Sequence, residues 1–296
     1  MRRTLPRWTI ARRTTAAGFA ALLVLGGLHG LSWFRGSLSA ASWFGVVPIV
    51  DPLAALESSL ASRGVVPEVL VGAGFLVVAA LVLGPVFCGW VCPLGLALDL
   101  NQSLRRRLLG PRRSANGPRV IRELRWGLLG LVVGLAFAAR LPLFQTLSPI
   151  NLLGWSLVFG AMPALAAVGA LAAVEWAAPR LWCRSLCPLG ALYGLLGRLA
   201  PFRIRIHPDV GRRRPCHLCT ISCPMGIRVV EEYTHAGRPS VDDPDCIRCG
   251  ACVEVCPRGT LKLGFRGFAQ GTGTEDRIQP DSCILCGMQA DGRSRS

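Results

Sequence analysis

Residues Cys246 to Pro257 read Cys-Ile-Arg-Cys-Gly-Ala-Cys-Val-Glu-Val-Cys-Pro, a C-x2-C-x2-C-x3-C-P run. In this bacterial ferredoxin spacing, three closely spaced thiolates wrap one iron–sulfur cube while the fourth reaches a second. The competing readings are a structural zinc site and a disulfide framework. Zinc sites pair two Cys-x2-Cys knuckles across a longer loop rather than crowding four thiolates before a proline. The odd total of 13 cysteines, set in metal-ligand spacings, fits disulfides poorly and a reducing compartment well. The run therefore points to an electron carrier.

A second run, Cys216-x2-Cys219-x3-Cys223-Pro224, lacks its first cysteine, because Arg213 stands at that position. By the crossed-ligand rule one [4Fe-4S] cluster takes Cys223, Cys246, Cys249 and Cys252. The other takes Cys216, Cys219 and Cys256 and lacks a fourth thiolate. A tail pair, Cys283 and Cys286, is placed to complete it. The alternatives are a three-iron cluster, an open iron or an unfilled site.

The rest of the chain is too apolar for an ordinary soluble protein of 296 residues: 51% is hydrophobic and the mean hydropathy is +0.44. Four runs approach the roughly 20 apolar residues that cross a bilayer, at 15–33, 69–87, 126–144 and 157–178. The net charge of +16 comes almost wholly from arginine, and the arginines flank apolar runs without interleaved aromatics, which argues against nucleic acid. Five arginines precede the first run and eight lie between the second and third. The positive-inside rule then puts both termini and the clusters on the cytoplasmic side of a bacterial inner membrane. A cleaved signal peptide ending near Ser39-Ala40-Ala41 is the competing reading of the first run.

An internal repeat follows the second and fourth runs. Cys88-x3-Cys92-Pro93-Leu94-Gly95 recurs as Cys183-x3-Cys187-Pro188-Leu189-Gly190, and Pro48-Ile49 and Pro149-Ile150 are expected in matching outer loops. Parallel repeats would bring Cys88, Cys92, Cys183 and Cys187 to one patch, suited to another cluster or to a reversible dithiol couple. Buried cysteines at tight turns are the alternative. The expected fold class is thus a membrane α-helical domain of four transmembrane helices in two tandem hairpins (1–201), a C-terminal bacterial 2[4Fe-4S] ferredoxin-like α+β module (202–267), and a flexible tail (268–296). Within the module, 228–233 and 260–265 read as strands.

With four histidines in all, and only His29 in a span, a bis-histidine haem within the bilayer is excluded. The candidate redox partner is then quinol from the bilayer, whose oxidation requires a proton acceptor. His29, Asp51, Glu57 and Glu175 are the candidates, since ionisable groups in or beside spans are functional hypotheses by default.

The order of four spans, two Cys-x3-Cys-Pro motifs and paired ferredoxin runs resembles the NapH/MauN ferredoxin-type membrane proteins, with Val50-Asp51-Pro52-Leu53 and the stretch 182–197 adding to the likeness. The resemblance implies a quinol dehydrogenase subunit passing electrons toward a periplasmic nitrate or nitrous-oxide reductase through partner iron–sulfur or haem proteins. Arg213 and the Cys283/Cys286 pair depart from the family pattern. A factor that reduces a metal or thiol on a maturing respiratory enzyme is the alternative function.

Overall fold

The computed structural model describes residues 7–28, 34–36, 40–43, 47–64, 67–109, 119–140, 142, 144–145, 148–159, 162–207, 217–256 and 259–265. Two helical halves share one plan. The first runs through α1 (Arg7–Leu28), a small antiparallel sheet of β1 (Phe34–Gly36), β2 (Ala40–Trp43) and β3 (Val47–Val50), then α2 (Pro52–Ser62), α3 (Pro67–Leu83), α4 (Val86–Trp90) and α5 (Pro93–Leu109). The second runs through α6 (Arg119–Ala139), α7 (Pro149–Phe159), α8 (Met162–Ala177), a π-turn (Trp182–Leu186) and α9 (Pro188–Gly197).

Local chemistry sets these boundaries. Asp51 caps α2 by accepting from the Leu53 N–H at 3.0 Å, and Pro52 takes the first helical position, where a missing N–H costs nothing. Helix α7 also opens on a proline, Pro149 after Ser148, and both helices have 11 residues. The repeat register is therefore Asp51-Pro52 with Ser148-Pro149, which corrects the expected match of Pro48 with Pro149: Pro48 lies in β3. Helix α3 stops at Gly84, whose φ of 74° suits only glycine at low cost, before Pro85.

Packing crosses between the halves. Helix α1 lies against α7, α6 against α2, α9 against α3 and α5 against α8, while within the halves α1 lies against α5 and α6 against α9. The expected tandem hairpins are replaced by this exchange, because the short helices α2 and α7 stand between the long ones in sequence. The fourth expected span, 157–178, falls mostly on α8, with its first three residues at the end of α7. Among the described residues no helix is long and apolar enough to cross a membrane.

The C-terminal module is built on a three-stranded antiparallel sheet, β4 (Arg203–Ile206) between β5 (Ser240–Val241) and β6 (Leu261–Gly264). Ile204 and Ile206 face its core with Met225, Ile227, Val229, Val230, Tyr233, Val241, Ile247 and Leu261. The strand expected at 260–265 is β6. The one expected at 228–233 is instead a π-turn, Val229–Thr234, whose Val229, Val230 and Tyr233 are buried at helical rather than alternating spacing. Two short helices, α10 (Leu218–Ser222) and α11 (Ala251–Glu254), carry the cysteine runs.

Helix α1 belongs to this assembly. The Trp8 N–H and Thr9 hydroxyl donate to Glu254 of α11 at 3.1 and 2.6 Å. Arg12 and Arg13 pair with Asp99 of α5 at 2.6 and 2.7 Å.

Candidate metal centre

Each Cys-x3-Cys-Pro motif folds into the same wide turn. The second cysteine's N–H donates to the carbonyl of the residue before the first cysteine: Cys92 to Phe87 at 3.0 Å, Cys187 to Trp182 at 2.9 Å. Proline then opens a helix, α5 or α9, so the second cysteine sits at a helix N-terminus, where partial positive charge favours a thiolate. The glycine two residues after the proline completes the cradle. The Gly190 N–H donates to Cys187 Sγ at 3.3 Å. A Cβ at Gly95 would lie 3.0 Å from the Cys88 carbonyl oxygen, and one at Gly190 3.7 Å from Cys187 Sγ.

Cys88, Cys92, Cys183 and Cys187 line one cavity, together with Arg125, Ile150, Arg180, Trp182, Met225, Asp245 and Ile247. The N-terminus of α7 reaches it through Ile150, and Leu53 of α2 packs with Cys187. Asp51 is close enough to interact electrostatically with Cys88, Cys92 and Cys187.

A second cavity is lined by Cys223, Cys246, Cys249 and Cys252, otherwise almost wholly by apolar side chains and Arg248. The Ile227 N–H donates to Cys223 Sγ at 3.4 Å. Burial pushes the Cys246 thiol up to about 12 and the Cys223 thiol up to about 11. Metal binding at these thiols must therefore displace protons. Met225 and Ile247 line both cavities, so one layer of side chains separates the two cysteine sets.

The remaining predicted site residues are placed in part. Cys219 is buried on α10, and Cys256 Sγ lies 3.1 Å from Thr260 Oγ1. Cys216, Arg213, Cys283, Cys286 and His29 lie outside the described residues. Glu57 is fully buried and accepts from the Phe144 N–H at 3.2 Å, with no partner for its second oxygen among the described residues. Glu175 is committed to backbone: it accepts from the N–H groups of Arg180 and, at 3.2 Å, Trp182, and so holds the turn that carries Cys183.

Both cysteine sets fit an iron–sulfur cluster. None of the ten described cysteines is in a disulfide. Among the described residues no three Cys, His, Asp or Glu side chains converge closely enough to hold one metal ion; the thiols instead ring a cavity, as a polynuclear cluster needs. Around the first cavity, Arg125 Nε, Arg180 Nε and Trp182 Nε1 are buried donors without a partner among the described residues. An anionic, hydrogen-bond-accepting occupant would satisfy them.

Sequence spacing identifies the thiols but misses the groups that join the two sets. Arg248, inside the ferredoxin run at φ 53°, donates to the carbonyl oxygens of Leu83 and Gly197. Trp90 Nε1 donates to the Arg248 carbonyl at 3.1 Å. Arg125 of α6 and Asp245 form a buried ion pair. Gly89 and Gly194 admit the 244–247 loop, since a Cβ on either would lie 2.6 Å from the carbonyl oxygen of Ile247 or Pro244.

Two family models match the chain. One described as "4Fe-4S binding domain" covers residues 65–112 and 152–207, the two Cys-x3-Cys-Pro segments, and one described as "4Fe-4S dicluster domain" covers 212–260 and 245–288. The chain is 32% identical over 269 residues to "Ferredoxin-type protein NapH" of Haemophilus influenzae, covering 88% of this chain and 90% of that protein. It is 32% identical to the NapH protein of Escherichia coli over 266 residues, with the same coverage. It is 29% identical over 265 residues to "Methylamine utilization ferredoxin-type protein MauN" of Methylorubrum extorquens, again covering 88% and 90%. No solved structure matches.

Proposed function

The chain belongs to the NapH/MauN family of iron–sulfur, ferredoxin-type electron-transfer proteins, and on that premise we propose that it is a membrane-bound subunit that oxidises quinol and delivers electrons to a partner carrier. The observation that carries this reading is the shared wall of the two cavities: Met225 and Ile247 touch both the Cys88/Cys92/Cys183/Cys187 set and the Cys223/Cys246/Cys249/Cys252 set. Bound there, [4Fe-4S] clusters supply one-electron carriers. The protein's own work is to hold eight thiolates on a rigid docked interface, keep water out with buried aliphatic walls, and supply N–H groups to sulfur.

A third cluster, completed by Cys283 or Cys286 beside Cys216, Cys219 and Cys256, is part of the proposal. Asp51 is the leading proton acceptor for quinol, because it caps α2 two residues before Leu53, which packs in the cluster with Cys187, and Glu57 follows it on the same helix. The bilayer reading is supported by apolar side chains left exposed on α3 (Leu70, Val71, Phe75, Val78) and α6 (Leu131, Leu135, Phe137). It is also supported by the arginine distribution, which favours the inner membrane with both termini and the clusters at the cytoplasmic face. The proposed acceptor is an iron–sulfur or haem protein serving a periplasmic reductase of the nitrate or nitrous-oxide type.

The test is anaerobic purification of the full chain, iron and sulfide analysis, and EPR before and after a quinol analogue. Cys88→Ser with Cys183→Ser should lose one cluster's worth of iron and abolish reduction by the analogue while the ferredoxin-type signal persists under dithionite. Unchanged iron in that variant, or wild-type clusters that stay oxidised with the quinol analogue, would overturn the proposal.

A further inference from the structure

The two halves match around the cysteines, but they differ in charge. With the two motifs superimposed, the position of Pro85, three before Cys88, is taken by Arg180, three before Cys183, and that of Asp99 is taken by Gly194. Both substitutions place charge on one side of an otherwise symmetric site. Arg180 is 2% exposed and at φ 53°, a left-handed conformation costly for a residue with a Cβ. It lines the four-cysteine cavity. One of its terminal nitrogens lies 3.3 Å from Asp99 Oδ1, while its Nε has no partner among the described residues. Arg180 shares that cavity with Cys183, and Cys183, Asp99, Cys249 and Glu175 all favour its charge.

Asp99 does not neutralise it. The same carboxylate is paired with Arg12 and Arg13 at 2.6 and 2.7 Å, so three guanidinium groups share one negative charge. A buried surplus of positive charge is costly unless an anion answers it. Beside Glu175, the anions available on this side are the thiolates that the cavity gathers. The reduced state of a cluster carries one more negative charge than the oxidised state, so a fixed cation beside it favours reduction.

We propose that Arg180 is the positioning residue that raises the reduction potential of the four-cysteine site above the value its thiolates alone would set, with Asp99 as the counter-charge that limits the effect. The inference rests on the reading of that site as a cluster site. Arg180 acts more strongly on the Cys183 side than on the Cys249 side, making the four-cysteine site the better electron acceptor of the two. The chain's first helix takes part through Arg12 and Arg13, since they determine how much of the Asp99 charge is left for Arg180.

The experiment is an EPR-monitored redox titration of the detergent-solubilised full chain, with iron and sulfide measured on every sample. Arg180→Gln should shift the oxidised-to-reduced ratio of the four-cysteine signal about tenfold toward oxidised at the wild-type midpoint, about 59 mV for a one-electron couple. The Cys223/Cys246/Cys249/Cys252 signal should move less. Arg180→Lys should stay near wild type. Asp99→Asn, which keeps Arg180, should move the midpoint in the opposite direction, and it serves as the independent arm if Arg180→Gln fails to fold. A full cluster complement with an unmoved midpoint in Arg180→Gln, or the same direction of shift in both variants, overturns the inference alone. If Cys88→Ser with Cys183→Ser removes no iron, the cluster reading of the site fails and the inference falls with it.

Discussion

The guanidinium of Arg248 donates to the carbonyl oxygen of Gly197 at 2.8 Å. Arg248 sits between two cysteines of the ferredoxin run, and Gly197 is the last residue of α9, so a helix C-terminus with its unsatisfied carbonyls meets a cation from the other module. A second bond to the Leu83 carbonyl does the same for α3. One side chain thus closes the ends of a helix from each half and fixes the loop between Cys246 and Cys249 against both.

Replacing Arg248 by alanine removes two charge-assisted bonds, about 3 kcal/mol at roughly 1.5 kcal/mol each. The expected result is a lower Tm and faster proteolysis in the 202–256 segment, with iron lost from the Cys246 set first. Unchanged melting and protease resistance would show that the docking does not depend on this residue.

Gly89→Ala and Gly194→Ala each force a Cβ to 2.6 Å from a backbone oxygen of the docked loop. Backbone cannot yield as a flexible side chain does, so each should cost about 1–3 kcal/mol. Gly74→Ala, with nothing within 4 Å, is the control and should be tolerated. Thermal melts of the three variants decide the matter, and equal stability across them would contradict the close approach.

The first helix should be retained in the mature protein. Trp8 and Thr9 are bonded to Glu254, and Arg12 and Arg13 are paired with Asp99, so cleavage after Ala41 would strip partners from the half-buried Glu254 and the buried Asp99. Intact-mass measurement of the protein extracted from membranes should include residues 7–28. A mature chain beginning near Ser42 would refute this.

Asp99 should make stability depend on acid. Burial alone would raise its pKa, but Arg12, Arg180 and Arg13 outweigh burial and hold the carboxyl below its ordinary range. Its stabilising contribution is therefore present above the unfolded value of about 3.9 and is lost as pH falls through the lower folded value. Melting of wild type and Asp99→Asn should differ at pH 6 to 7, and the gap should close only below about pH 4. A gap that is the same at pH 7 and below pH 4 would exclude the depressed pKa.

The sequence by itself determined the cysteine chemistry and the repeat, because cluster ligation and helix initiation are local. Cys246-x2-Cys249-x2-Cys252 and Cys88-x3-Cys92-Pro93 each carry their turn geometry within a few residues, and Asp51-Pro52 carries its own cap. The tertiary structure decided what those pieces meet. Val229, Val230 and Tyr233 form a π-turn because the module core requires a helical spacing of buried side chains, which a short apolar stretch does not announce. The exchange of helices between halves, the shared wall of Met225 and Ile247, and the Arg180–Asp99 pair, 81 positions apart, all join residues distant in sequence. No local pattern encodes such contacts. They exist because burying an arginine requires a carboxylate or a helix end nearby, and only the packed chain can bring one there.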